Sequence, residues 1–394
     1  MPSNLAGATH SQPSLDPPVL PPGRAWWRGA AMVGLYWCGL PRLAFQASKI
    51  VELSSNGRFS FRFARRPKIA VLCYHRVGTK GLPIYSALPP ETFEAQMHYL
   101  SHRYRIISVA ELCDELINPR LTEPAVAITF DDGYRDLFYH AFPILKRYQI
   151  PATVFLAVQA IESNEVPWYD RIFAVLQLLP GTSLDIQLGA PRRFALGSPA
   201  DRLQVADQIM RELRSLPDNL RRNCVSDLES RVRLPKESLS GRMLSWEQIR
   251  TMHREGVSFG SHSLSHRVMG RLPLQEVERE LRESKEIIEK RLGTTVDTFA
   301  FPFGQTSDIG GVSSDFLAAC GYRCAMTTVE GINASGISPY RVRRTQICNE
   351  RSLPIFAWNL STFFLHEATR DALSLPPRDE FPGSTDSVVE VGNA

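Results

Sequence analysis

The 394-residue sequence has no cysteine pair at CxxC spacing, no long run of lysine and arginine, no uninterrupted apolar stretch of membrane-spanning length and no internal repeat. Each absence excludes something. Seven scattered cysteines, an odd number, argue against a disulfide framework and against a zinc site built on thiolates, so free thiols, mostly buried, are expected. A net charge of only +4, without a basic run, leaves nucleic-acid binding no electrostatic footprint. The most apolar segment, residues 25–45, is interrupted by Arg28 and Arg42, and its apolar run falls short of the roughly 20 residues of a span. It also lacks the charged, apolar, small-residue order of a cleavable signal. Two readings of it stand: peripheral contact with a bilayer interface, or a helix packed on the body of the protein. A location at the cell envelope, associated with membrane, and a cytoplasmic one are both compatible with this. Oligomeric state is not legible.

What the chain does have begins at Lys68. "KIAVLCYH", "RIISV", "AVAITF" and "ATVFLAV" read as strands, with helical patterns over "ETFEAQMHYLSHRY", "AELCDEL" and "RDLFYHAFPILKRY" between them. Such alternation implies parallel strands joined by crossover helices. The rhythm stops at about 162–240, where patterns such as "ADRLQVADQIMRELRSL" predict a helical insertion. It resumes with "SWEQIRTMHREG", where Ser245 and Gln248 form a capping-box pattern and Gly256 ends the helix. Then come "VSFGSH", an amphipathic helix with Val277, Leu281, Ile288 and Leu292 on one stripe, "VDTFAFPFG", "YRCAMTT" and "YRVRRTQI". Seven or eight strand–helix units suit an α/β fold, a distorted (β/α)7-8 barrel with a helical insertion. The expected organisation is a disordered 1–24, a hydrophobic or amphipathic segment 25–67, a catalytic domain 68–350, a C-terminal helix 351–374 and a disordered tail 375–394.

In a parallel sheet the βα loops gather at the strands' C-terminal ends, and polar residues stand at those ends here. Tyr74-His75, Asp131-Asp132, Ser261-His262-Ser263-Leu264-Ser265-His266 and Pro302-Phe303-Gly304 each follow a predicted strand. Two adjacent ionised carboxylates repel one another unless a cation or a shared proton compensates, and a metal is one remedy. The bland alternative is that Asp131 or Asp132 caps the next helix. His262 and His266 are four apart, a spacing common among zinc ligands though equally common in polar turns. With Asp132 they form a two-histidine, one-carboxylate set, which leaves coordination positions open as a catalytic site requires.

"TFDDG", "SHSLSH" and "FAFPFG", in this order, resemble the polysaccharide deacetylase family, carbohydrate esterase family four with its NodB-homology domain, over about residues 68–345. The resemblance implies that Asp131 is the catalytic base and that Asp132, His262 and His266 hold a divalent ion, usually zinc. It places Phe303, beside Gly304, where a backbone N–H meets the oxyanion. Two departures accompany it. The family's third motif commonly carries an arginine that holds the base, and Ala300 stands there, leaving Arg343 or Arg344 to substitute. The late Leu-x-His motif that usually supplies the acid is only half matched at His366. "VLCYHRV" instead resembles the opening of the poly-N-acetylglucosamine branch, which makes His75 the expected acid. Trp168, with Tyr169, is a candidate sugar-stacking wall, or an aromatic pair packed on the insertion. The implied activity is metal-dependent removal of acetyl groups from an N-acetylated amino-sugar glycan. Hydrolysis of another amide, or an inactive glycan-binding protein, are the alternatives.

Overall fold

The computed structural model describes residues 68–78, 87–234, 240–334, 336–347 and 352–372, with side chains from 365 onward excluded. The membrane-contact reading of 25–45 and the disorder expected of 1–24 and 375–394 fall outside these residues. No described helix is long and apolar enough to cross a membrane.

The short β-branched runs pair side by side in parallel. Strands β1 (Ile69–Tyr74), β2 (Arg105–Ile107), β3 (Ala125–Phe130) and β4 (Ala152–Leu156) come before the insertion. The hairpin β5 (Ser183–Leu188) and β6 (Ala190–Ala195) lies within it. After it come β7 (Ser258–Ser261), β8 (Thr298–Ala300), β9 (Cys324–Met326) and β10 (Thr345–Gln346). The sheet order is β10-β1-β3-β4-β7-β8-β9, with β2 paired to the start of β3. Its two edges meet through one segment: Val342 bridges to Met326 of β9, and three residues later Thr345 pairs with Leu72 of β1. The sheet thus curls into the distorted barrel expected from the alternation.

β1 and β3 are buried on both faces, as their near-continuous apolar sequences require. Val71, Ala125, Ala127, Ala300, Met326 and Val342 fill the barrel interior. Leu72, Val126 and Ile128 join an outer layer with Phe93, Met97 and Ile249 of the surrounding helices. The helix Leu274–Leu292 buries Val277, Leu281 and Ile288, ends on left-handed Gly293, and packs by Leu281 on the Phe299–Tyr322 cluster. The Ser245–Gln248 capping box forms as the sequence predicts. Five described cysteines are free, four buried and Cys224 half-buried.

The insertion is not wholly helical. Helices Trp168–Leu178, Pro199–Ser215 and Asp218–Ser230 surround the antiparallel hairpin β5–β6, and all five share an apolar cluster of their own. Leu184, Ile186 and Leu188 alternate with exposed neighbours, the period-2 signature of a half-buried strand, and Gly189 turns the chain at a φ of 74°. The charges Asp185, Arg192 and Arg193 sit on the solvent side, which masks the strand in a composition-based reading.

Gly260, two residues before His262, marks a place where the barrel tolerates no side chain. A Cβ there would lie 2.6 Å from the Phe155 ring and 2.7 Å from Thr298 Oγ1. Gly260→Ala should destabilise the protein by about 1–3 kcal/mol through overpacking, read as a lowered midpoint in denaturant at unchanged slope. A midpoint equal to that of the parent would mean that β7 has room to shift.

Candidate active site

Neither aspartate caps a helix. The chain turns after β3, Asp132 takes a φ of 70°, and the next helical turn begins only at Leu137. The turn brings both carboxylates to the C-terminal rim, where His75, Asp131, Asp132, His262, His266 and Phe303 line a cavity of about 130 Å³. Four loops therefore converge as the strand order dictates. Of the other residues singled out in the sequence, Gly304 supports this wall, since a Cβ there would stand 2.8 Å from the Thr328 amide nitrogen. Trp168 lines an adjoining cavity instead, its ring 5.8 Å from that of Phe303 and its face covered by the Arg221 guanidinium at 4.7 Å. His366 belongs to the helix Leu353–Ala372. That helix lays Phe356 and Phe364 against Tyr99 and Tyr104.

Asp132, His262 and His266 each direct a ligand atom into one point, all within 4.8 Å of one another. His262 Nδ1 donates to the Ala300 carbonyl at 2.7 Å, which fixes the tautomer and leaves Nε2 as a lone-pair acceptor. That nitrogen faces Asp132 Oδ1 at 3.6 Å and Asp131 Oδ2 at 3.8 Å. Burial lowers the His262 pKa to about 4, so the ring is neutral at neutral pH and these contacts are acceptor against acceptor. His266 Nε2 stands 3.3 Å from the same Oδ1, which no hydrogen bond satisfies. For Asp132, burial pushes the carboxyl pKa up, and His266, together with His75 and His262, outweighs it and leaves the pKa lowered. An orphaned, buried carboxylate oxygen beside a lone pair of fixed direction is what a divalent cation would satisfy, and the oxygen/imidazole donor set suits zinc. The residues present fit such an ion.

Asp131 is held differently. Arg344, fully buried, donates Nη1 to Oδ1 and Nη2 to Oδ2, both at 2.7 Å, while its Nε donates to the Thr327 carbonyl. Burial raises the Asp131 pKa, but the Arg344 charge and then that of His262 outweigh it and leave it well below the usual carboxylate range. Of the two arginines that the sequence offers in place of the missing third-motif arginine, Arg344 faces the aspartate; Arg343 packs over Gly331. Cys73 Sγ lies 3.4 Å from Asp131 Oδ2 and, with His75, forms a second set of potential ligands. The bidentate guanidinium on Asp131 disfavours a cation there.

Four of the six described non-glycine residues with positive φ lie at this site: Asp132, Ser263 (67°), His266 (52°) and Phe303 (60°). Each such conformation costs on the order of 1–3 kcal/mol, and clustering of this kind marks functional turns. The Phe303 N–H has no acceptor among the described residues, while its carbonyl takes a bond from Thr328 Oγ1. Sequence reasoning did not find Arg214, an insertion residue whose guanidinium covers the Phe303 ring at 4.5 Å and pairs with Asp308. It also missed Asp170, buried behind Tyr134, whose hydroxyl donates to Oδ2 at 2.5 Å. The only trace of Asp170 in the sequence is an acid amid the apolar stripe of "WYDRIFAVLQL".

The polysaccharide deacetylase family profile matches residues 118–324. A Bacillus subtilis protein, YxkH, assigned by name to the polysaccharide deacetylases, is 33% identical over 96 residues, 24% of this chain and 33% of its own. A poly-beta-1,6-N-acetyl-D-glucosamine N-deacetylase of Staphylococcus epidermidis is 32% identical over 109 residues, 27% of this chain and 35% of that one. The matches thus span about a third of the length of these relatives. Among solved structures, the Streptococcus pyogenes deacetylase PplD in complex with acetate superposes with a TM-score of 0.52 at 20% identity, covering 76% of this chain and 99% of that one. That likeness bears on the fold.

Proposed function

Because the chain belongs to the polysaccharide deacetylase family, we propose that it hydrolyses the N-acetyl groups of an amino-sugar glycan, releasing acetate, with a divalent ion held by Asp132, His262 and His266. The observation that carries this reading is the pairing, within one cavity, of an ionised carboxylate locked by Arg344 with a neighbouring carboxylate and two histidines whose ligand atoms converge, Asp132 Oδ1 among them without a hydrogen bond.

A divalent ion held by Asp132, His262 and His266 would supply Lewis-acid polarisation of the acetamide carbonyl and make a water easier to deprotonate. Asp131, kept unprotonated by Arg344, accepts the proton of the attacking water. As the carbonyl oxygen gains negative charge, the Phe303 N–H donates to it, held in place by the left-handed turn before Gly304. His75, from the end of β1, protonates the departing amine so that the C–N bond breaks with a neutral leaving group. The left-handed backbone at Asp132, Ser263, His266 and Phe303 sets these groups before substrate arrives, so little ordering remains to be done in the reaction.

Acetate release from a panel of N-acetylated oligosaccharides, with and without chelator, tests the reading. Expected are turnover on amino-sugar oligomers, its loss with chelator and its return with zinc. Asp132→Ala and His262→Ala proteins should fold yet hold little metal by elemental analysis. Full occupancy in either would reject the ligand assignment. Release from simple amides alone would move the activity to non-sugar substrates, and glycan binding without release would mean an inactive homologue.

A further inference from the structure

The barrel does not build the catalytic cavity alone. Among the described residues that line it, Tyr169 and Arg214 come from the insertion, and Arg214 is the only lysine or arginine. Arg214 stands in the last turn of the helix Pro199–Ser215. The Ser198–Asp201 capping box fixes the start of that helix, and Ala206, Ile209, Met210 and Leu213 bury its inner side in the insertion's own apolar cluster. The helix therefore has one register, and in that register Arg214 reaches the barrel.

Its contacts fall on one short stretch of chain. Arg214 Nη2 donates to Asp308 Oδ2 at 2.5 Å, and the guanidinium lies over the Phe303 ring at 4.5 Å. Asp308 Oδ2 also accepts from the Gln305 N–H at 3.0 Å, so a single carboxylate oxygen ties the insertion to the residue that caps the helix Thr306–Ile309. Gln305 Nε2 in turn donates to the Thr328 carbonyl at 2.8 Å and to its Oγ1 at 2.9 Å, and that hydroxyl donates to the Phe303 carbonyl. Phe303 is thus held twice, its backbone by Thr328 of the barrel and its ring by an arginine of the insertion. It needs holding. A φ of 60° at a residue other than glycine persists only where the surroundings over-determine it. The ring also packs on the insertion's apolar cluster and stands 5.0 Å from the His266 imidazole. A cation is drawn to the face of an aromatic ring, and an arginine already fixed by a carboxylate presents its charge in one place.

We propose that Arg214 is a positioning residue: by gripping the Phe303 ring and Asp308 together it fixes the turn 303–305, and with it the direction of the Phe303 N–H. The insertion is then part of the catalytic unit. The proposal rests on the deacetylase reading for the reaction, in which that N–H meets the oxygen that gains charge, and on geometry alone for the grip. An interaction that matters only as charge develops affects kcat and leaves substrate binding alone.

Two measurements on the full chain decide it. In the first, acetate release from N-acetylglucosamine oligomers is followed in Arg214→Met, which keeps an unbranched side chain and loses the charge. Its kcat should fall roughly ten- to a hundredfold, with KM within about twofold of the parent and metal content unchanged. Arg214→Lys, which keeps a cation, should recover part of the rate. Asp308→Asn breaks the other half of the grip, so its loss and that of Arg214→Met should combine to less than their product. The second measurement needs no turnover. In protein isotope-labelled at phenylalanine, NMR relaxation should show the Phe303 amide rigid in the parent, with an order parameter of about 0.85, and falling toward about 0.6 in Arg214→Met. Phe299, fully buried in the barrel, should stay rigid in both. A Phe303 amide as rigid in Arg214→Met as in the parent overturns the proposal. So does a raised KM at parental kcat, which would make Arg214 a ground-state binding residue, and so does loosening of Phe299 together with Phe303 at a lowered melting temperature, which would make it a general support of the fold. Absence of acetate release from every oligomer by the parent would overturn the deacetylase reading, while the Phe303 amide still judged the grip.

Discussion

Arg344→Met should be both unstable and nearly inactive at neutral pH, the largest stability effect expected of any single change at the site. The guanidinium and the Asp131 carboxylate are almost wholly buried and joined by two parallel hydrogen bonds. Removing one member of such a pair strands the other, at a cost of about 3–5 kcal/mol. The sign with pH follows from the direction of the shift. The folded-state pKa of Asp131 is depressed, so the pair's contribution is fully present above the ordinary carboxylate pKa and is lost as pH falls through the lower, folded-state value. The difference in unfolding free energy between parent and variant should therefore be greatest in alkaline buffer, where Asp131 is ionised in both proteins, and shrink as pH falls. With the arginine gone, its opposition to burial is removed and the Asp131 pKa rises. The acidic limb of the pH–rate profile should move upward, and part of the lost rate should return in alkaline buffer. A variant as stable as the parent at pH 7, with an unmoved acidic limb, would sink this account. The double variant Asp131→Leu, Arg344→Met provides the control: an apolar pair should recover much of the stability and none of the turnover.

His75→Ala should lower kcat by on the order of 10²–10⁴ while the bound metal and the melting transition stay as they were. His75 lines the cavity together with Asp131 and His262, on the loop that leaves β1. The rival, His366, belongs to a helix whose Phe356 and Phe364 pack on Tyr99 and Tyr104, on the outside of the barrel. Substituting it should change the rate little. Kinetics and metal content of the two variants, measured side by side, decide between them. Strong loss at His366 with a tolerant His75 would return the acid to the late motif.

Much of the framework was legible because its signals are local. The β-branched runs, the capping box at Ser245 and the stripe of Val277, Leu281 and Ile288 each declare themselves within a dozen residues, and each forms. Asp131, Asp132, His262 and His266 were legible through spacing at strand ends. The partner of Asp131 was legible only as Arg343 or Arg344, because it lies 213 residues away and nothing in "YRVRRTQ" says which of the two turns inward. Its direction is set by β10 pairing with β1, a long-range fact. For Trp168 the sequence left two readings open, a sugar platform or packing on the insertion, and only the fold shows Arg221 on its face. At Asp132, His266 and Phe303 the left-handed φ falls on a residue other than glycine, so those residue types gave no hint of it. The hairpin β5–β6 was hidden by charges on its solvent side.

The joining of the sheet's edges by residues 342–346 also bears on the order in which the polypeptide is made. Asp131 leaves the ribosome 213 residues before Arg344, and at about 5–20 residues per second that interval is on the order of tens of seconds. Throughout it, the nascent sheet has β1 open along one side and a carboxylate destined for burial without its counter-charge. The early strands can associate, but the most hydrophobic layer cannot close around Asp131 until the last strand arrives. During synthesis the chain therefore presents an unpaired strand edge that chaperones or a second nascent copy can engage, and Asp131 gains its counter-charge only after Arg344 has been made.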